Sequence, residues 1–416
     1  MDSNIEEQSK KRDCKLHEDK QIHGIDSLPR EIALDIFSRL SITSVMQSRS
    51  VCRSWQNLSL DRNLVSLHLS RVAERDPLLI FHSDFPTRKH LFFAELSGTN
   101  DDVKGIVKKI DIPFSASMPE FTVEGSCKGL LCLCDSLYKD SVYIYNPFTN
   151  DYKELPKTRQ YTEERVVSGF GYYPETNQYK VIKIVYYKIS NTGDQPFCRI
   201  RTANNLKSEV LVFSSGGSTW RNIGQVPYCV FRSQGAPFIH GRLHWMALGV
   251  YNNVRGLIII SFDLADEKFD EVPRPDFSSP FDCTNYELVS LKGCLSAVAY
   301  EYGLYKDMEI WLMKEYNVKE SWIKVFKIGG KIPESPSTNL QKPSEIWRNH
   351  SIRALVTVLC VLSNGEILIE YKVGRLALYN AITGRYKDLN FKGMPSIFET
   401  FVHLGSLNQI DLPVKL

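Results

Sequence analysis

From Pro77 onward the sequence repeats itself, and that repeat restricts the chain to few folds. Each unit has two parts. The first is a glycine followed by an apolar strand, as in Lys128-Gly-Leu-Leu-Cys-Leu-Cys134, Gly241-Arg-Leu-His-Trp-Met-Ala247, Lys292-Gly-Cys-Leu-Ser-Ala-Val-Ala299 and Asn364-Gly-Glu-Ile-Leu-Ile-Glu370. The second is a strand, a polar turn and another strand, with markers at Asn146, Phe213, Asp263, Trp311 and Asn380. Gly169 to Ile184 is a variant of the first part with a turn inside it. The marker intervals are 67, 50, 48 and 69 residues. A four-stranded propeller blade takes about 40–50 residues. The two long intervals contain polar insertions, Ser190–Ser208 and Lys331–Ser344, and removing about twenty residues from each restores the period.

Small antiparallel sheets with two apolar faces and raw edges are stabilised by radial stacking and closure of the ring. The five marked units, with further strands at Leu78–Phe81 and Leu91–Leu96, predict an all-β propeller-like domain of about six blades over residues 76–410. Phe401–Leu407 is expected to return to the first blade and close the circle. A pair of sheets packed as a β-sandwich is the alternative.

The stretch before this domain is of a different kind. Ile25–Leu58 reads as two short amphipathic helices and then a third. Pro29 suits a first helical turn, where its missing N–H costs little. Ile32, Ile36 and Leu40 recur on one face, widened by Ala33 and Phe37. Ser41 to Ser44 break the run, and the Ser44/Gln47 spacing of a capping box predicts a restart there. Val45, Val51, Cys52, Trp55 and Leu58 supply the next apolar positions. A unit of fewer than about 40 residues rarely buries such a set alone. It is either a cap on the main domain or a dock completed by another protein.

The order LPxEI…DIFxRL…VxxxRSVCRSW resembles an F-box, matched at Leu28, Pro29, Glu31, Ile32, Ile36, Leu40, Val45, Arg49, Val51, Cys52 and Trp55. Ser41 stands where that family usually has proline, Ser48 where an aromatic is common, and Ala33 in place of a larger aliphatic residue. The resemblance implies a small all-α F-box over residues 25–70. It also implies a Skp1-like adaptor held through Leu28, Pro29, Ile32, Ile36, Leu40, Val45, Val51 and Trp55, and a cullin reached through that adaptor. The run GLL…IYNPFTNDYKELP…GFGYYPETNQYKVIKI…EVLVFSSGGSTWR is similar to the F-box-associated domain of plant F-box proteins, a relative of kelch-type propellers. Its most specific pieces are Tyr145-Asn146-Pro147, Gly169-Phe-Gly171 and Tyr179-Lys180-Val181. Together the two resemblances imply a non-catalytic substrate-recognition subunit of an SCF-type ubiquitin ligase, whose propeller binds an unidentified protein target. The competing readings are a propeller enzyme with a helical appendage, and an F-box protein acting outside ubiquitination.

The remaining features point the same way. Residues 1–24 are polar and aperiodic and read as a disordered tail. Asp61–Arg75 reads as a connecting helix or turn. A net charge of +3 over 416 residues gives no bulk field for nucleic acid or membrane. No early apolar run argues for a secretory signal, and the longest aliphatic runs are too short to span a bilayer. A cytoplasmic or nuclear setting is expected, so the Asn57 and Asn349 sequons carry no meaning. The ten cysteines are scattered, and Cys132, Cys134, Cys294 and Cys360 lie in strand-like runs as small core residues. No phosphate-binding loop, HExxH or nucleophile elbow is present. Cys127, Cys132 and Cys134 lack a second pair at zinc spacing. His240 and His244 share a predicted strand face around Arg242 and read as structural or loop-lining residues, with no metal or other cofactor expected. Ser214–Trp220 lacks the aspartate of a sialidase-type turn, and Cys198-Arg-Ile-Arg201 reads as a solvated loop. Loops on a rigid scaffold carry recognition, so the two insertions are the expected target-contacting elements.

Overall fold

The computed structural model describes residues 28–84, 87–96, 107–138, 140–159, 165–188, 206–231, 235–251, 254–277, 286–300, 307–329, 356–371, 374–395 and 397–410. The tail over residues 1–24 and the segment Cys198–Arg201 lie outside them. The chain divides into two compact units, Met1–His68 and Leu69–Leu416.

The first unit contains α1 (Arg30–Ser38), α2 (Ile42–Ser48) and α3 (Arg53–Ser59), and α4 (Arg62–Val72) follows. The expected restart at Ser44 is corrected: Ser41 caps α2, its hydroxyl accepting from the Ser44 N–H at 3.2 Å. A serine hydroxyl held at the N-cap satisfies a donor that the first helical turn leaves open. The Ser41 φ of −65° is also proline's own, which explains how the two residues can share this position. Cys52 caps α3 in the same way, its sulfur 3.5 Å from the Trp55 N–H.

In the second unit the described strands form six sheets, one per blade. Blade 2 shows the pattern: Phe121–Cys127, Leu130–Asp135, Val142–Tyr145 and Tyr152–Glu154, an antiparallel meander. Blade 3 runs from Arg165–Tyr173 to Arg221–Asn222, blade 4 from Cys229–Val230 to Phe269–Val272, blade 5 from Tyr286–Leu291 to Trp322–Ile328 and blade 6 from Val356–Val361 to Arg385–Leu389. Blade 1 combines Leu78–Ser83, Leu91–Glu95 and Lys108–Ile110 with the late strand Phe398–His403. The expected closing strand is therefore present, starting three residues earlier than Phe401 and ending four before Leu407.

Alternation explains why the strands are apolar almost throughout. Successive side chains point to opposite faces, and both faces are covered. Leu130, Cys132 and Cys134 enter the core between blades 2 and 3, whereas Leu131 and Leu133 enter the core between blades 1 and 2. Four further clusters fill the remaining blade interfaces. A two-sheet sandwich would have one such core, so this set of radial cores excludes that alternative. Contacts between neighbouring blades run from Phe398–His403 to Phe121–Cys127, Arg165–Tyr173, Arg242–Tyr251, Tyr286–Leu291 and Val356–Val361, then back to the start. Blade 4 contributes Arg242–Tyr251 to this cycle because its inner edge is split into Cys229–Val230 and Phe238–Ile239.

Gly169 and Gly171 mark a close approach between blades. A Cβ at Gly169 would lie 2.6 Å from Trp245 and 2.9 Å from Leu243; one at Gly171 would lie 2.8 Å from Leu264 and 2.9 Å from Phe238. The Gly-Phe-Gly run thus lets blade 4 seat on blade 3.

Candidate functional site

The helical unit sorts its apolar residues onto two sides. The core of α1 is Ala33, Leu34 and Phe37, and Phe37 meets Trp55 edge-on at 5.2 Å. Ile32 lies on the opposite side of the helix, about half a turn of the wheel from that face. It is 49% exposed; Leu28 is 39% and Val51 62% exposed. The sequence stripe of Ile32, Ile36 and Leu40 is therefore not the core face, because Ala33 and Phe37 take that place. Pro29 is exposed, and Ile36, Leu40 and Trp55 are half-buried. Val45 is fully buried and belongs to the core of the helical unit. Ser48, also buried, donates its hydroxyl to the Val45 carbonyl at 2.6 Å, which satisfies it without an aromatic ring. Arg49 Nε donates to Ser59 Oγ at 2.9 Å and ties α2 to α3; burial pulls the guanidinium pKa down. With Leu60 at 51% and Leu67 at 39%, five large aliphatic residues of this small unit are exposed.

In the propeller, the Asn146 marker is a buried Asx turn. Its Oδ1 accepts from the Phe148 and Thr149 N–H groups at 3.0 and 3.3 Å. Its Nδ2 donates to the Ser406 and Asn408 carbonyls at 3.0 and 2.9 Å, clasping the segment that leaves the closing strand. Asp263 and Asn380 form the same turn in blades 4 and 6. Local turn chemistry identified the marker, but nothing in the local pattern signalled its hold on the C-terminal segment. The inner strands are also pinned by polar contacts: Thr400 N–H donates to Glu370 Oε2 at 2.9 Å, and Ser126 Oγ lies 3.0 Å from His403 Nδ1. Burial lowers the His403 pKa to about 3.

The remaining candidates are structural where they are described. His244 is fully buried, with Nδ1 3.1 Å from the Pro237 carbonyl and Nε2 2.8 Å from Tyr316 Oη. A carbonyl only accepts, so Nδ1 carries the proton and Nε2 accepts from the tyrosine. Burial lowers its pKa to about 4. The expected shared strand face is corrected: His240 sits in the preceding turn at φ 49°, outside the strand Arg242–Tyr251. Cys127, Cys132 and Cys134 are buried in one core cluster, and burial raises the Cys127 thiol pKa to about 12. Cys294 is only half-buried, because it sits at the start of its strand beside the Lys292-Gly293 turn. Trp220 donates to the Pro156 carbonyl at 2.6 Å, a structural role for the Ser214–Trp220 turn. Among the described residues no group of three or more His, Cys, Asp or Glu is placed to hold a metal ion, and no helix is long and apolar enough to cross a membrane. Of the insertions, Leu206–Ser208 belongs to the strand Leu206–Ser214; the rest of Ser190–Ser208 and all of Lys331–Ser344 lie outside the described residues.

A family model described as F-box-like matches residues 25–66, and one described as F-box associated beta propeller domain matches residues 77–367. The chain belongs to the F-box proteins with an F-box-associated β-propeller domain. An F-box protein of Arabidopsis thaliana is 42% identical over 401 residues, 94% of each chain. The F-box protein CPR1 of the same plant is 26% identical, covering 92% of this chain and 88% of its own. An Arabidopsis F-box/kelch-repeat protein is 27% identical, covering 88% and 91%. For this F-box protein the family match and the two-sided helical unit describe the same stretch of chain.

Proposed function

We propose that this F-box protein is a non-catalytic substrate-recognition subunit of an SCF-type ubiquitin ligase. Leu28, Pro29, Ile32 and Val51 contact a Skp1-like adaptor, with Ile36, Leu40 and Trp55 at the edge and Val45 in the core. A cullin joins through the adaptor, and the propeller holds a protein target. The chain acts in the cytoplasm or nucleus and contributes proximity: holding target and ligase together raises their effective concentration. The observation that carries this reading is the exposure of Leu28, Ile32 and Val51 while Ala33, Phe37 and Val45 are buried in the core. Central aliphatic anchors on a standard interface of about 800 Å² per partner suit such docking.

The test is capture of a purified Skp1-like adaptor by the full chain and by a Leu28→Ala, Pro29→Ala double variant. The double variant is expected to lose the adaptor and keep the propeller's melting transition. Undiminished capture by the variant ends the assignment.

A further inference from the structure

The Asx turn recurs in blades 2, 4 and 6, but its surroundings are filled in only two of them. In blade 2 the residue after the marker, Pro147, is buried, and Phe148 packs on Phe93 at 5.2 Å and His403 at 5.9 Å, both in blade 1. In blade 4 the corresponding Leu264 is fully buried and seats against the Gly171 position of blade 3. In blade 6 the corresponding residue is Ala381, small and exposed, and Ile382 after it is 97% exposed. The space left between blades 5 and 6 is a cavity of about 260 Å³ whose lining includes Lys292, Phe326, Val361, Asn380, Ala381 and Ile382.

Blade 2 also shows what such a turn can hold. Its Asn146 amide binds carbonyls two residues apart on the chain's own segment Leu404–Ile410, and a Cβ at Gly129 would fall 2.0 Å from the Ser406 side chain. Blade 6 repeats the parts without such an occupant among the described residues. Asn380 spends Oδ1 on its own turn, at 3.1 and 3.0 Å, and its Nδ2 has no partner among the described residues. A Cβ at Gly365 would meet nothing within 4 Å. Lys292 at the rim is exposed and has no ion pair among the described residues.

We infer that the groove between blades 5 and 6 binds an extended segment of the target protein, with an aliphatic side chain in the Ala381 slot and an acidic residue on Lys292. Asn380 Nδ2 donates to the segment's backbone carbonyls, as Asn146 does to Ser406 and Asn408. The aliphatic side chain replaces from outside what Leu264 supplies from within in blade 4. The acidic neighbour follows from Lys292, the single charged group among the described lining residues. This inference rests on the reading of the propeller as target-binding, and it names the site.

The test uses the full chain and a displayed library of short peptides with one fixed leucine followed by acidic positions; an enriched peptide is made with a fluorophore and titrated. Ala381→Leu closes the slot as Leu264 does and is expected to weaken binding by at least about tenfold. Asn380→Asp keeps the turn, as Asp263 shows in blade 4, but removes the donor, and is expected to weaken binding by about fivefold. Both variants should keep the wild-type melting transition and the wild-type capture of the Skp1-like adaptor. No enriched peptide, or a peptide indifferent to both variants, overturns the groove. Displacement of the peptide by self-association of the chain shows a second copy as the occupant and overturns it equally. Failure of the wild-type chain to capture the adaptor, with peptide binding intact, counts against the ligase reading alone.

Discussion

Asn146 Nδ2 donates to the Ser406 carbonyl at 3.0 Å, a bond that joins blade 2 to chain 260 residues later. The same amide binds the Asn408 carbonyl, and the Asn408 side chain in turn donates to the Lys128 carbonyl at 3.2 Å. Closure of the ring is thus secured by a buried polar clasp as well as by the pairing of Phe398–His403 with Leu78–Ser83. Asn146→Ala leaves two buried carbonyls without this donor and removes the Asx turn, so it should destabilise the propeller by about 2–4 kcal/mol. Asn146→Asp keeps the turn but sets an anion against two carbonyls and should be no better. Chemical denaturation of the full chain, followed by tryptophan fluorescence, measures both.

The contact between Gly169 and Trp245 sets a second expectation. Gly169→Ala drives a Cβ into the indole and should cost about 1–3 kcal/mol. Gly256→Ala is the control, since a Cβ there meets nothing within 4 Å. Its effect should stay within about 0.5 kcal/mol. Equal effects from the two substitutions would show that backbone propensity, and not the seating of blade 4, accounts for the loss.

The two sides of α1 should separate by mutation. Phe37→Ala opens the core against Trp55 and should cost the helical unit about 3–5 kcal/mol. Ile32→Asp, on the exposed side, should change stability by less than about 1 kcal/mol yet abolish adaptor capture. Circular dichroism melting paired with adaptor capture reads the two effects apart.

Ser41 offers a milder case. Ser41→Ala removes the cap of α2 and should cost about 1 kcal/mol. Ser41→Pro loses the same hydroxyl but matches the φ of −65° and restricts the unfolded chain, so its loss should be smaller. The order of the two melting temperatures checks this.

Acid should weaken the propeller through His244 and His403, whose pKa values lie at about 4 and about 3 in the fold. An unfolded histidine titrates near 6.5. Below that value the unfolded state binds more protons, so stability is fully present above about pH 6.5 and declines as pH falls toward 4 and then 3. The slope reaches at most about 1.4 kcal/mol per pH unit for each histidine. His244→Gln should flatten the upper part of this decline in a denaturation series from pH 7 to 4.

The elements that local chemistry defines were legible in the sequence. Lys128-Gly129 and Lys292-Gly293 adopt positive φ at both residues because tight turns between short strands require it, and Asn146, Asp263 and Asn380 carry their own turns in the side-chain oxygen. Apolar, aromatic and β-branched runs between polar turns marked the strands, and their spacing marked the blades. What the tertiary structure decided was which face meets which partner. Ile32 and Phe37 are equally apolar on one helix, and only packing against Trp55 made one of them core. His240 and His244 share a strand parity, yet the turn at His240-Gly241 separated them. Pro147, Leu264 and Ala381 hold equivalent places in sequence, but whether each slot is filled depends on the neighbouring blade. Periodicity assigns a side chain to a side of its own element; burial depends on what stands across the gap, which is set by residues distant in the chain.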